Sequence, residues 1–218
     1  MKFERGIDEK YRRSVDDALA TILESGTEPQ KKIVSLILAS NMLIRVRPVS
    51  EINASGSTGL IDVGSTNDRI DEEHLGLRES LGEIYIAIAE ETIDTGGQRG
   101  CEGTLVHEGR HAYDFAQTIE SFSHADVRPL SIFDPTLYEL ELEAHKTSGD
   151  YMLCINKGEY LDEGLGLMIL SRKETSDSCF VDDTGIHRRL FESYGLSPDG
   201  NQGPRASELL GLRQKHDW

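Results

Sequence analysis

Residues 104–115 read TLVHEGRHAYDF. Leu105, Val106, Ala112 and Phe115 suit a helix with one face in a core, and His107 and His111 stand four residues apart. On a helix that spacing puts two side chains one turn apart on one face, so both imidazoles converge on one point. Neutral imidazole nitrogen is a good zinc ligand, and Glu108 projects beside the pair, placed to take a proton from an attacking water. The chemistry needs this division: two ligands hold the ion, and the carboxylate reaches the water without occupying the ion. Random placement in a chain of this composition produces the HExxH spacing in roughly 2% of cases. Two ionisable imidazoles on a largely buried helix also require something that satisfies them.

The sequence around the motif is of mixed type. EIYIAIA (83–89) is the strongest β pattern, LIRVRPV (43–49) alternates, and GLIDVGS (59–65) is a weaker strand. TGGQRGCEG (95–103) reads as a glycine-rich break before the motif helix. Near the N-terminus, Ile7, Tyr11, Val15, Leu19, Ile22 and Leu23 form one stripe of a helix over 8–24, ended by Gly26. Thr27 and Gln30 then form a capping box with Pro29 in the first turn. The second helix runs to about Met42, with Ile33, Leu36, Ile37 and Leu38 inward. Downstream, 125–135 reads as a loop, with Asp134 as N-cap of a helix over 135–156. Short helical runs near 162–171 and 184–194 and a polar tail follow. The expectation is one α+β domain over 1–218: N-terminal helices (1–42), a small twisted sheet backed by the HExxH helix (43–115), and a mainly helical part (134–218).

A catalytic zinc usually takes three protein ligands and keeps a position open for water. Position 117, where a third histidine would complete one well-known spacing, is Gln117. The 135–156 helix offers Glu139, Glu141 and Glu143. Leu137, Leu140, Ala144, Ser148, Tyr151 and Ile155 step along one face, and Glu141 falls within that stripe. Glu139 and Glu143 lie about 200° around the axis, toward solvent. A carboxylate on a buried stripe is costly unless neutralised, and a zinc ion would neutralise it, so Glu141 is the expected third ligand. Glu108 and His111 also form an ExxH pair of the di-iron kind, but the chain holds no second ExxH. Cys101, six residues before His107, reads as a free loop thiol rather than a ligand. Asp114, three residues after His111, is a candidate acceptor for a ligand imidazole.

HEGRH, followed thirty residues after His111 by a helix reading Glu141-Leu142-Glu143-Ala144, resembles the gluzincin zinc metallopeptidases. The resemblance covers the two helices and the preceding strand, about a third of the chain. It implies a zincin-like fold, one Zn²⁺ per chain on His107, His111 and Glu141, and Glu108 as general base. In that superfamily the strand before the motif helix borders the cleft and pairs with extended substrate, a role that would fall to EIYIAIA. No residue matches the family's transition-state donor; His145 is the candidate taken as catalytic, with Tyr138 and Tyr151 as alternatives. The order of helices, strands and HExxH is similar to bacterial effector and polymorphic-toxin metallopeptidase domains, which would imply action in a target cell's cytoplasm with an unnamed delivery or immunity partner.

Composition narrows the partners. The net charge of −16 opposes nucleic acid, and no apolar run is long enough for a membrane span. Residues 1–50 carry 9 basic and 7 acidic side chains (+2), leaving 14 and 32 (−18) for 51–218, the portion with the motif. The charged start MKFERGIDEKYRRSV lacks a signal-peptide core, so a cytoplasmic protein, or one delivered without a Sec signal, is expected. Cys101, Cys154 and Cys179 are odd in number and form no CxxC, which fits a reducing compartment. The leading expectation is a zinc endopeptidase acting on a protein or peptide. A regulatory protein of the same fold with a structural or lost metal site, and a hydrolase of non-peptide amides, are the alternatives.

Overall fold

A computed structural model describes residues 1–124, 132–176 and 178–213. The fold is α+β, with ten helices among the described residues, a four-stranded mixed sheet and a small hairpin. Strand β1 (Lys2–Phe3) leads into α1 (Glu9–Ser25) and α2 (Glu28–Ala39). Asp8 caps α1 by accepting from the backbone N–H of Lys10, and Thr27 and Gln30 form the expected capping box on α2. Helix α2 stops at Ala39, short of Met42, and buries Val34 where Leu38 was expected; Leu38 is exposed.

Strands β2 (Leu43–Arg47), β3 (Gly56–Leu60) and β4 (Ile84–Ala89) complete the sheet in the order β1-β2-β4-β3, with α3 (Val49–Ile52), α4 (Val63–Glu72) and α5 (Leu77–Leu81) between them. The first three strands of that order are parallel and β3 is antiparallel to β4. Ile44 pairs with Ile86 and Val46 with Ile88, so one face of the sheet is a branched apolar surface buried under the helices. Two expectations change here. The weak strand lies at 56–60 rather than 59–65, because Asp62 caps α4 by accepting from the Ser65 N–H. The strong strand β4 is interior, paired on both sides, so its backbone has no free edge; the strand that borders solvent on that side is β3.

The break expected in the glycine-rich segment 95–103 is confined to Gly97, and the rest of the segment is helical. It lies inside α6 (Glu90–Ser123), in which Gly97 alone has non-helical backbone, at φ 56°. A positive φ there is what glycine permits, and it kinks α6 into two helical stretches, the second of which carries the motif. From Cys101 to Phe122, α6 buries a face that includes Leu105, Ala112, Ala116 and Ile119 against the sheet and α1.

Residues 125–131, most of the expected loop, lie outside the described residues. Helix α7 (Leu137–Ile155) is capped by Thr136, not Asp134, in a box with Glu139. Asp134 instead accepts from the backbone N–H and hydroxyl of Ser207, each at 2.8 Å, and so fastens the C-terminal segment to the start of α7. Helix α8 (Gly158–Gly166) replaces the run expected at 162–171, and the hairpin of β5 (Leu170–Arg172) and β6 (Cys179–Val181) was not foreseen. Helices α9 (Asp183–Tyr194) and α10 (Ala206–Leu210) follow, the second within the stretch read as a polar tail.

Strand β3 passes so close to α6 that a Cβ at Gly56 would lie 2.5 Å from Thr104 Cγ2 and 2.8 Å from Glu108 Cγ. Thr104 is β-branched, buried and unable to yield easily. Gly56→Ala is therefore expected to lower stability by about 1–3 kcal/mol, read as a lower urea midpoint. A wild-type midpoint would show that β3 is free to shift away.

Candidate metal centre

Helices α6 and α7 bring together the three residues singled out by spacing. His107 Nε2 and His111 Nε2 lie 3.2 Å apart, His107 Nε2 is 3.6 Å from Glu141 Oε2, and His111 Nε2 is 3.4 Å from Glu141 Oε1. Donors bonded at about 2.0–2.2 Å to one tetrahedral ion stand about 3.3–3.6 Å from one another. The observed spacings match that triangle. Glu141 is buried and its Oε2 has no hydrogen-bond partner, an orphaned anionic oxygen of the kind a cation satisfies. These three residues could hold a metal ion.

The neighbouring carboxylates are occupied elsewhere. Glu139 accepts from the Thr136 N–H at 2.8 Å in the capping box. Glu143 pairs with Arg110 Nη1 at 3.3 Å, on the flank of the helix pair. Glu108, next to a ligand in sequence, stays outside the cluster. Its Oε2 accepts a 2.7 Å hydrogen bond from Thr58 Oγ1 of β3, and its Cγ rests under Gly56. Thr58 was not found from the sequence, since nothing local marks which strand residue faces a helix 50 positions on.

Charge within the cluster is strongly coupled. Burial works against the Glu141 carboxylate, but the two imidazoles outweigh it and hold its pKa far below the usual range. Burial likewise opposes the His111 imidazolium, and Glu141 reverses the balance so that its pKa is raised above 6.5. His145, one turn after Glu141, is buried with Nε2 at 3.8 Å from Glu141 Oε2, and neither ring nitrogen has a hydrogen-bond partner. Burial first, then the nearby His107, push its pKa down to about 3, so it is a neutral imidazole.

Other expectations are corrected. Asp114 does not meet a ligand imidazole: it accepts from Arg110 Nε at 2.8 Å, and its Oδ1 and His111 Nδ1 are each buried without a partner. Tyr151 donates to Glu102 at 2.6 Å in the core, as does Tyr160, and Tyr138 pairs with His187, so neither Tyr138 nor Tyr151 reaches the cluster. Cys101 is a buried helical thiol, not a loop residue; burial raises its pKa to about 12, and it stands outside the cluster.

The cluster opens into a cleft of about 480 Å³. Residues 54–58, around β3, form one part of its wall, and Phe115, Leu137, Leu140, Leu209 and Leu210 form an apolar part. Arg189 and Tyr194 of α9 complete it. No sequence signal connected these last two to the motif, some eighty positions away. Comparison with family models, with curated proteins and with solved structures finds no match for the chain. No helix among the described residues is long and apolar enough to cross a membrane.

Glu141→Gln is expected to lower bound metal well below one ion per chain, whereas Glu143→Gln leaves it unchanged; elemental analysis after dialysis reads both. The opposite pattern would transfer the ligand role to Glu143. Acid should release the ion, because a metal requires the neutral imidazole and the metal-free site holds a proton on His111 to a pH above 6.5. Affinity is thus expected to fall as pH drops through that raised pKa, with protons released on binding, read by calorimetry in buffers of different ionisation heat. Glu141 stays ionised across that range and adds no proton of its own.

Proposed function

We propose that this chain is a zinc-dependent peptidase of the gluzincin type. The observation that carries the proposal is the separation of roles at one point: three donors spaced for one ion, and a fourth group, Glu108, held beside them by Thr58. A donor set of two imidazoles and one carboxylate suits zinc, and bound zinc would supply Lewis-acid polarisation of a carbonyl and of water. The sheet with α6 behind it and an antiparallel strand along the cleft supports a zincin-like reading of the fold.

Each residue's task follows from its surroundings. Glu108 is an acceptor-only group when ionised; Thr58 satisfies Oε2 and fixes the rotamer, which leaves the carboxylate poised to take a proton from water and pass it to the leaving amine. His145 is neutral and carries one N–H, so it is the proposed donor to the oxygen that gains charge as the amide is attacked. The outer edge of β3 offers unpaired backbone groups along the cleft, and an extended peptide would add there as a further strand. That role moves from β4, whose two edges are already paired, to β3.

Glu108→Gln tests the mechanism because glutamine keeps the shape and cannot take the proton. It should retain the fold and the zinc and lower peptide-bond cleavage of a mixed protein substrate by about 10²- to 10⁴-fold. A variant with zinc bound and full activity would remove Glu108 from the mechanism, and zinc-loaded wild type without cleavage would remove the peptidase proposal.

A further inference from the structure

Arg189 is an arginine of the cleft wall that has no ion-pair partner among the described residues. Arg69, Arg99 and Arg110 each pair with a carboxylate within 4.0 Å, whereas among the described residues no carboxylate stands at that distance from Arg189. Its Nε is buried without a hydrogen-bond partner, so that nitrogen has left water and gained nothing from the protein. The Nε atoms of Arg12 and Arg45 are buried without a hydrogen-bond partner too, so it is the place of Arg189 in the cleft wall that singles it out.

Its position is set by α9. Asp182 caps the helix, and Ile186 and Leu190 pack into a small apolar cluster with Tyr138, Ile169 and Leu196. Arg189, three residues after Ile186 and one before Leu190, stands at the margin of that buried face. Arg189 lines the cleft that holds His107, His111 and Glu141. Among the described residues it is the one Lys or Arg that lines the cleft. The guanidinium acts on its surroundings: its charge reaches both His145 and Tyr194.

A planar guanidinium with free donors is matched in shape and charge by a carboxylate, which it binds through two parallel hydrogen bonds. A chain of net charge −16 repels anions over most of its surface, so an anionic group enters only where a local cation meets it. Leu137, Leu140, Leu209 and Leu210 provide an apolar wall in the same cleft. We propose that Arg189 is the specificity-determining residue of this cleft and receives a carboxylate of the bound peptide, next to an apolar side chain. This rests on the peptidase reading of the cleft. The carboxylate comes from a C-terminus or from an acidic side chain, and the chemistry at Arg189 is shared.

The test is calorimetric titration of the full-length, metal-loaded chain with three peptides: acetyl-Ala-Ala-Leu as free acid, the same peptide as amide, and acetyl-Ala-Asp-Leu-amide. Mass analysis of each mixture reports hydrolysis separately. The expected result is binding about tenfold or more tighter for one carboxylate peptide than for the plain amide, the order of a charge-assisted hydrogen bond. Preference for the free acid assigns a C-terminus, and preference for the aspartyl peptide assigns a side chain. Arg189→Gln should abolish the preference and Arg189→Lys should keep part of it. Equal affinity for all three peptides, no binding of any, or a preference that survives Arg189→Gln overturns the role of Arg189. If Arg189→Gln fails to fold, equal affinities on wild type still overturn the role, and a preference that Arg189→Lys leaves undiminished does so as well. Cleavage without a carboxylate preference removes only this inference; a preference without cleavage keeps it and removes the peptidase reading.

Discussion

The Glu141 carboxylate, buried between the imidazoles of His107 and His111, is the contact on which the arrangement of α6 and α7 turns. A carboxylate taken from water is costly unless opposite charge meets it at close range. That constraint makes the helix pairing specific, because sliding α6 by one turn would put Gly103 or Phe115 in place of one of the two imidazoles. The two helices run antiparallel in one register: Glu102 meets Tyr151, His107 meets His145, and His111 meets Glu141. A polar seam thus runs through an otherwise apolar interface. At its deep end Glu102 is satisfied by two tyrosine hydroxyls at 2.6 Å. At its open end Glu141 Oε2 and both nitrogens of His145 are left without hydrogen bonds. The same interface therefore supplies a closed, structural half and an unsatisfied half that faces the cleft.

Close approach of backbone does the rest of the positioning. Gly56 lets β3 settle onto α6 until Thr58 can hold Glu108, and on the far side of the motif Ile33 and Ile37 of α2 pack at ordinary contact distance against Gly109. The motif turn is in this way clamped between an edge strand and an N-terminal helix. Asp134 performs a different task, tying Ser207 and hence α10 to the start of α7, which brings Leu209 and Leu210 into the cleft wall. Among the described residues the cleft is consequently built from five separate stretches of chain, with α6 and α7 carrying the His107, His111 and Glu141 cluster.

Local chemistry determined a good deal. The HExxH spacing, the stripe on α7 that contains Glu141, the capping box at Thr27 and the β pattern of 84–89 each depend on neighbours within about a turn or a strand, and each was legible in residue order. Glu141 could be separated from Glu139 and Glu143 because helical periodicity alone assigns faces. The glycine-rich segment was legible in part, with its break confined to Gly97. Glycine lowers helix propensity, but packing of Cys101, Leu105 and Ala112 into the core outweighs that cost, and only Gly97 departs from helical geometry.

What residue order could not contain is anything decided by pairing between distant segments. Strand order is one case: β4 has the strongest β pattern because both its edges and both its faces are covered, and that same burial removes it from the edge that borders the cleft. The partners of polar groups are another. Asp114 meets Arg110 instead of an imidazole, Tyr151 meets Glu102, and Thr58 meets Glu108, outcomes set by which atoms come within 3 Å after the helices dock. Arg189 and Tyr194 reach the cleft only because Ile186 and Leu190 seat α9 on α7. Periodicity and capping act within one element and are written in its residues. Edges, cleft walls and hydrogen-bond partners arise between elements, where the competition among many distant groups is resolved only by the folded core.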